Sequence, residues 1–182
     1  DISGDMLRIA SEKARRAALK IPFVEQDMRK LALHRPQDAI ICACDGVNYL
    51  DSLNAAEEFF EAANAALKVG GLLLFDISSQ YKLENILGCN TFAEDEQGGA
   101  YIWKNNYDPE SRLIEMNLTF FERQGELYRR FTERHIQRAH GVDELLSALN
   151  MAGFDAEAYD FETMEPVKPD SERVQFSGRK RR

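Results

Sequence analysis

Hydrophobic and polar positions along the chain follow two different rhythms. Up to about residue 80, and again after residue 140, apolar residues recur at helical spacing or in short continuous runs. Met6, Leu7, Ala10, Ala14 and Ala17 share one side of a helix expected over Asp5 to Leu19, with Ser3 and Asp5 as its cap and first turn. A short strand is expected at Ile21 to Val24, followed by a loop from Glu25 to Pro36. Asp38 to Cys44 is an apolar run bounded by polar residues, the pattern of a strand buried on both faces. Asn54 is expected to cap a helix carrying Ala55, Phe59, Ala62, Ala63, Ala66 and Leu67. Gly70-Gly71 would stop that helix ahead of a second buried strand, Leu72 to Ile77. Strand, helix, strand with short joints implies parallel pairing through a right-handed crossover.

Between these stretches the period changes to two. Tyr101 to Tyr107, Arg112 to Phe121 and Leu127 to Gln137 alternate like strands, joined by turns at Asp108–Ser111 and Gln124–Glu126. This predicts a three-stranded antiparallel meander inserted into an α/β unit. An amphipathic helix over Gly141 to Gly153 and strands at Ala156 to Phe161 and Arg173 to Lys180 close the pattern. The expected division is a core made of 1–82 and 141–182, with 83–140 as the insertion.

Composition narrows the classes. Over 182 residues, 44% hydrophobic and 30% charged residues are values of a folded globular chain. A net charge of −8 argues against a general nucleic-acid binder, which needs a basic footprint. The local exception is the basic end, Arg179 to Arg182. Cys42, Cys44 and Cys89 lack zinc spacing, and Cys42 and Cys44 are expected to share a core-facing side of their strand. No apolar stretch is long enough to span a membrane, so no membrane partner and a cytoplasmic location are the expectation.

The candidate chemistry begins at the first residue. Asp1 reads as an acid at the carboxyl end of a strand just before a helix, where nucleotide-binding α/β proteins grip ribose hydroxyls. An acid that simply favours the helix dipole is the alternative. Cys44, Asp45 and the stretch to Tyr49 follow a buried strand, at the edge where open α/β sheets bind ligands. Asp45 could orient an ammonium group, and Asn48 and Tyr49 could face an acceptor; for Asp45 and Asn48, capping the next turn is the rival role.

Taken in order, these residues resemble the class I S-adenosylmethionine-dependent methyltransferases, in particular small bacterial ones with a β insertion. Four stretches carry the likeness: Asp1 to Leu7, Gln26-Asp27-Met28, Asp38 to Leu50, and Leu67 to Leu72 with Phe75-Asp76. The resemblance implies a Rossmann-like, doubly wound, mostly parallel sheet carrying the antiparallel insertion, and S-adenosylmethionine as cofactor. It places Asp1 and Ile2 at the ribose, Met6 over the adenine face, and the Asp27 carboxylate and Met28 amide at the adenine edge. Cys44 and Asp45 would border the methionine end. Family members also bear a glycine-rich turn after their first strand, which this chain lacks. The expectation is therefore that the chain belongs to a longer protein, with two further strands and a helix in about 35 or more residues.

Methyl transfer from a sulfonium asks for in-line approach and exclusion of water more than for side-chain chemistry. The insertion would roof the acceptor pocket, with Trp103 among its lining aromatics and Arg134 binding an acidic group. His135 is the best candidate base by residue type. The leading expectation is a methyltransferase for a small-molecule acceptor. The rivals are a non-catalytic scaffold, dimerising through an edge of the inserted sheet, and an RNA methyltransferase using the basic end.

Overall fold

The computed structural model describes residues 1–182. Its first element is α1, Gly4–Arg16, whose cap is Ser3: the Ser3 hydroxyl accepts from the Met6 amide at 3.3 Å. No strand forms at Ile21–Val24. A strand exists only as part of a ladder, and this segment lies beside no hydrogen-bonded neighbour; Ile21 and Val24 stay about half exposed.

β1, Gln37–Cys42, pairs in parallel with β2, Leu67–Ser78. Between them runs α2, Leu53–Ala66, capped by the Ser52 hydroxyl rather than by Asn54. β1 is not buried on both faces as its run of apolar residues suggested: β2 is its one partner in the sheet, and Ile41 is 70% exposed. Gly70-Gly71 also plays a different part. The helix has already ended at Ala66, and the glycine pair forms a bulge in β2, where Gln37 faces Leu67 but Ala39 faces Leu72. Gly70 takes a φ of +79°, a conformation costly for any residue with a Cβ.

The first sheet is completed by β7, Phe154–Asp160, and β8, Arg173–Lys180, both antiparallel, in the order β1-β2-β8-β7. α2 and α3, Val142–Met151, contribute Phe59, Phe60, Leu145 and Leu149 to its core. Phe75 and Phe176 are cross-strand partners whose rings stack at 4.7 Å. Burying each such ring contributes about 1.5–3 kcal/mol, which makes this aromatic layer the main cohesive element.

The insertion is a separate antiparallel sheet of four strands, where the alternation of 101–137 predicted three. Its strands are β3, Thr91–Glu96, β4, Gly99–Asp108, β5, Leu113–Gln124, and β6, Leu127–Arg138, in that order. β3 escaped notice because Glu94-Asp95-Glu96 breaks the apolar alternation. A π-helix, Lys82–Leu87, joins the two sheets and packs Leu83 and Leu87 against Ile114, Met116 and Ala139. No helix is long and apolar enough to cross a membrane.

Register divides the insertion into two faces. Ile114, Met116, Leu118 and Phe120 of β5 stand beside Gln137, His135, Glu133 and Phe131 of β6, and beside Tyr107, Asn105, Trp103 and Tyr101 of β4. This inner face meets the small core at its near end. The intervening residues, Arg134 and Asn117 among them, point outward.

The basic end is committed to structure. Lys180 Nζ donates to the carbonyls of Asn64 at 2.7 Å and Leu67 at 2.9 Å, capping the end of α2. Arg179 donates to the Gly70 carbonyl, and Arg181 to the Asn150 carbonyl near the end of α3. Lys180 and Arg181 thus place cations at the carboxyl ends of α2 and α3, where the helix dipole favours positive charge.

Candidate active site

The Asp27 loop links Asp1 to the turn after β1, and that turn is bonded to the insertion. Asp1 and the loop holding Asp27 are tied together, since the Gln26 amide donates to the Asp1 carbonyl at 2.9 Å. One Asp1 carboxylate oxygen accepts from the Ser3 amide at 2.8 Å, which fixes the side chain and leaves the second oxygen unengaged. Ile2 and Met6 project beside it, 70% and 59% exposed. Asp27 is less free than its expected role requires. Its carboxylate accepts from the Arg29 amide and guanidinium, 2.6 Å at the shortest, and that partner holds its pKa down to about 2. Met28 packs on the main core, and its Cε approaches the open side of Gly46.

The turn after β1 is the most constrained segment of the site. Cys44 and Asp45 both adopt left-handed backbone, φ +61° and +51°, before a 3₁₀ turn at Gly46–Tyr49. A buried carboxylate holds this turn. Asp76, 4% exposed at the end of β2, accepts from the Cys44 amide at 2.8 Å and the Asp45 amide at 3.1 Å. Arg173, at the start of β8, donates to Asp76 and also to Asp45, at 3.1 Å to the latter. The guanidinium lies 5.7 Å from the centre of the Phe161 ring. The Arg173 cation and the two backbone amides together offset the cost of burying the Asp76 carboxylate.

Cys42 and Cys44 part company. Cys42 packs toward the core, where burial pushes its thiol up to about 11; Cys44 lies past the end of the strand and is exposed. Gly46 fits this arrangement, since a Cβ there would stand 2.8 Å from the Cys42 sulfur and force that side chain to shift.

Four polar contacts then stitch residues 45–50 to the end of β6 and beyond. Gln137 Nε2 donates to Asp45 at 2.6 Å, Asn48 Nδ2 to the Arg138 carbonyl at 2.9 Å, and His140 Nε2 lies 2.9 Å from the Leu50 carbonyl. The fourth joins Tyr49 Oη to His135 Nδ1 at 2.9 Å. On its other side, His135 Nε2 faces a Glu133 carboxylate oxygen at 3.3 Å. An ionised carboxylate only accepts, so it selects the tautomer protonated on Nε2. The Nδ1 lone pair then faces the tyrosine hydroxyl, which donates to it. Desolvation raises the Tyr49 pKa, keeping the phenol protonated.

Several expectations need correction. Asn48 is fully buried, its amide donating to the Ser78 and Arg138 carbonyls while its oxygen accepts from the Ser78 amide. It is a clamp and cannot face an acceptor. Arg134 lies on the outer face, bound to both Glu115 oxygens at 2.9 and 3.0 Å, because it is one residue out of phase with His135. Asp45 has one oxygen on Arg173 and the other on Gln137, so it orients the turn rather than a free ammonium. Trp103 is on the inner face, packed against Phe92 at 5.6 Å, with its indole nitrogen buried.

Asp76, Arg173 and Gln137 had no assigned role in the sequence. The available signal was Asp76 itself: an acid inside the apolar run Leu72–Ile77 demands a buried partner. Which cation answers, 97 residues further on, is settled only by the antiparallel placement of β8.

An acid with a free oxygen and exposed apolar side chains near it are groups that a nucleoside-bearing cofactor can use. Comparison with known proteins agrees. Residues 1–71 match the family described as methyltransferase domain. A protein of Bacillus subtilis (strain 168) named as a methyltransferase, YqeM, is 34% identical, covering 99% of this chain and 73% of its own length. The crystal structure of an S-adenosylmethionine-dependent methyltransferase from Clostridium acetobutylicum ATCC 824 is 32% identical, with a TM-score of 0.94 over 100% of this chain and 74% of that one. The fold alone is shared with KedS8 from Streptoalloteichus sp ATCC 53650, at 20% identity and a TM-score of 0.78 over 100% of this chain and 70% of that one. With a Rossmann-like core and these relatives, the chain belongs to the class I S-adenosylmethionine-dependent methyltransferases, and S-adenosylmethionine is its cofactor.

Proposed function

We propose that this methyltransferase acts on a small-molecule acceptor whose attacking nitrogen or oxygen sheds a proton to the Tyr49–His135 pair. The observation that carries the reading is the 2.9 Å contact between Tyr49 Oη and His135 Nδ1, with Glu133 behind the ring. Among fold neighbours, KedS8 is described as a sugar N-methyltransferase and CalS10 as an amino pentose methyltransferase, which makes a small acceptor compatible with this scaffold.

Asp1 would hold the ribose, Ile2 and Met6 would flank the adenine, and the Met28 amide would meet its edge. The backbone of Cys44 and Asp45, fixed by Asp76, would border the methionine end. When bound, the cofactor would supply an electrophilic methyl group on a positively charged sulfur, open to the acceptor's lone pair. The acceptor sits against Tyr49, donating its proton to Oη while the phenolic proton passes to His135 Nδ1. Glu133 stabilises the resulting imidazolium. Residues 45–50 and the inner face of the insertion would shield the bound acceptor from water.

The reading is tested by methyl transfer to a panel of primary amines, hydroxyl compounds and carboxylates, using labelled S-adenosylmethionine and the His135→Ala variant. Transfer to an amine or hydroxyl that collapses in the variant supports it. Transfer confined to RNA or protein overturns it, as does a small-molecule activity indifferent to His135.

A further inference from the structure

The inner face of the insertion continues well past His135. Beyond the row of Trp103, Leu118 and Glu133 comes a row of three aromatic side chains, Tyr101, Phe120 and Phe131. Phe120 and Phe131 stack at 5.0 Å, Tyr101 lies 6.4 Å from Phe120, and Phe131 is 39% exposed. These rings floor a cavity of about 300 Å³ whose rim includes Glu94, Glu96 and Glu122.

Charge separates the two faces. Register puts Glu94, Glu96, Glu122 and Glu133 on the inner face, with Arg129 as the cation there, 3.9 Å from Glu122. The outer face carries Arg123, Arg130 and Arg134. Glu94 and Glu96 also act on the tray itself: the Tyr101 phenol is raised from its ordinary value by desolvation first, then by these two carboxylates. Phe131 and His135 are four positions apart along the strand, about 13 Å.

We infer that this aromatic tray with its acidic rim is a second binding subsite, taking a ring-bearing, positively charged tail of the acceptor molecule. Ring faces attract cations, and the surplus of carboxylates adds to that attraction while repelling a phosphate or carboxylate tail. The substrate class is an elongated organic cation, with its protonated amine remote from the atom that is methylated. This rests on the small-molecule reading and narrows it.

The test uses the protein with its full natural chain, saturated with S-adenosylhomocysteine, and ligand-observed NMR titration. Three probes of one shape are compared: 2-phenylethylammonium, 2-phenylethanol and 3-phenylpropionate. The ammonium should bind about tenfold more tightly than the alcohol, and the carboxylate more weakly than either. The double variant Glu94→Gln/Glu96→Gln should bring the ammonium to the level of the alcohol. Asp95→Asn, on the same strand but the opposite face, should leave the preference intact. Phe131→Ala should weaken all three probes. Equal affinity for the three, failure of the ammonium to bind at millimolar concentration, or a preference that survives the double glutamate variant overturns the inference. S-adenosylhomocysteine binding and the rate toward an acceptor lacking a cationic tail are read on the same samples. Those measurements follow the cofactor and reaction-centre assignments, so the two failures are distinguishable.

Discussion

Tyr49 and His135, 86 residues apart in sequence, meet at 2.9 Å across the gap between the first sheet and the insertion. Each alone is an ordinary residue type in a turn and on a strand. Together with Glu133 they form a continuous line of hydrogen-bonding groups.

Removing the imidazole should therefore lower turnover without unfolding the protein. His135→Ala is expected to reduce kcat by about 10²–10³ and Tyr49→Phe by about tenfold, with little change in KM for the cofactor. The double variant should be no slower than His135→Ala alone, because the two act as a unit. Initial rates at saturating cofactor measure this, with circular dichroism confirming the fold.

The Asp76–Arg173–Asp45 cluster should govern stability. Arg173→Gln leaves two carboxylates facing one another, one of them buried, and should cost about 2–4 kcal/mol once the partial exposure of Arg173 is allowed for. Adding Asp45→Asn removes one of the like charges and should recover part of the loss. Urea denaturation of the wild type, single and double variants reads both effects.

His140 should make stability depend on pH. Its ring is fully buried, and burial, the largest influence, with Arg138 lowers its pKa below the ordinary 6.5, while Leu50, Glu144 and Val47 pull the other way. The unfolded chain thus binds this proton more readily than the folded one. Stability is complete above about pH 6.5 and declines as pH falls through that value. Denaturation midpoints between pH 8 and pH 5, about the range where histidine titrates, should slope downward in the wild type and flatten in His140→Gln.

Lys180 should behave as a helix cap, not as a nucleic-acid contact. Lys180→Met removes an ammonium donor from two carbonyls and is expected to destabilise by about 1–2 kcal/mol in urea titration. Retention of RNA on a filter should not change.

The helices and the core strands were legible because apolar periodicity is a local property. Arg173 to Lys180 reads as a strand from its sequence and is one in the structure, since its buried residues alternate without interruption. Ile21–Val24 failed because a strand is defined by its neighbour, which no local pattern reveals. β3 was hidden for the opposite reason: it has a partner, yet three successive acids disguise it. The individual candidates His135 and Tyr49 were legible as residue types, but their contact was not. It depends on how far β6 runs before turning into α3. The outward orientation of Arg134 follows from the same register, and a shift by one residue would have reversed both outcomes.

The four ties between residues 45–50 and 135–140 carry a consequence for how such an enzyme can be re-engineered. The turn after β1 and the inserted sheet are thereby held to one another. Grafting an insertion from a homologue by itself would drag the β1 turn out of alignment, so a working chimera must exchange the turn and the inserted sheet as a single cassette.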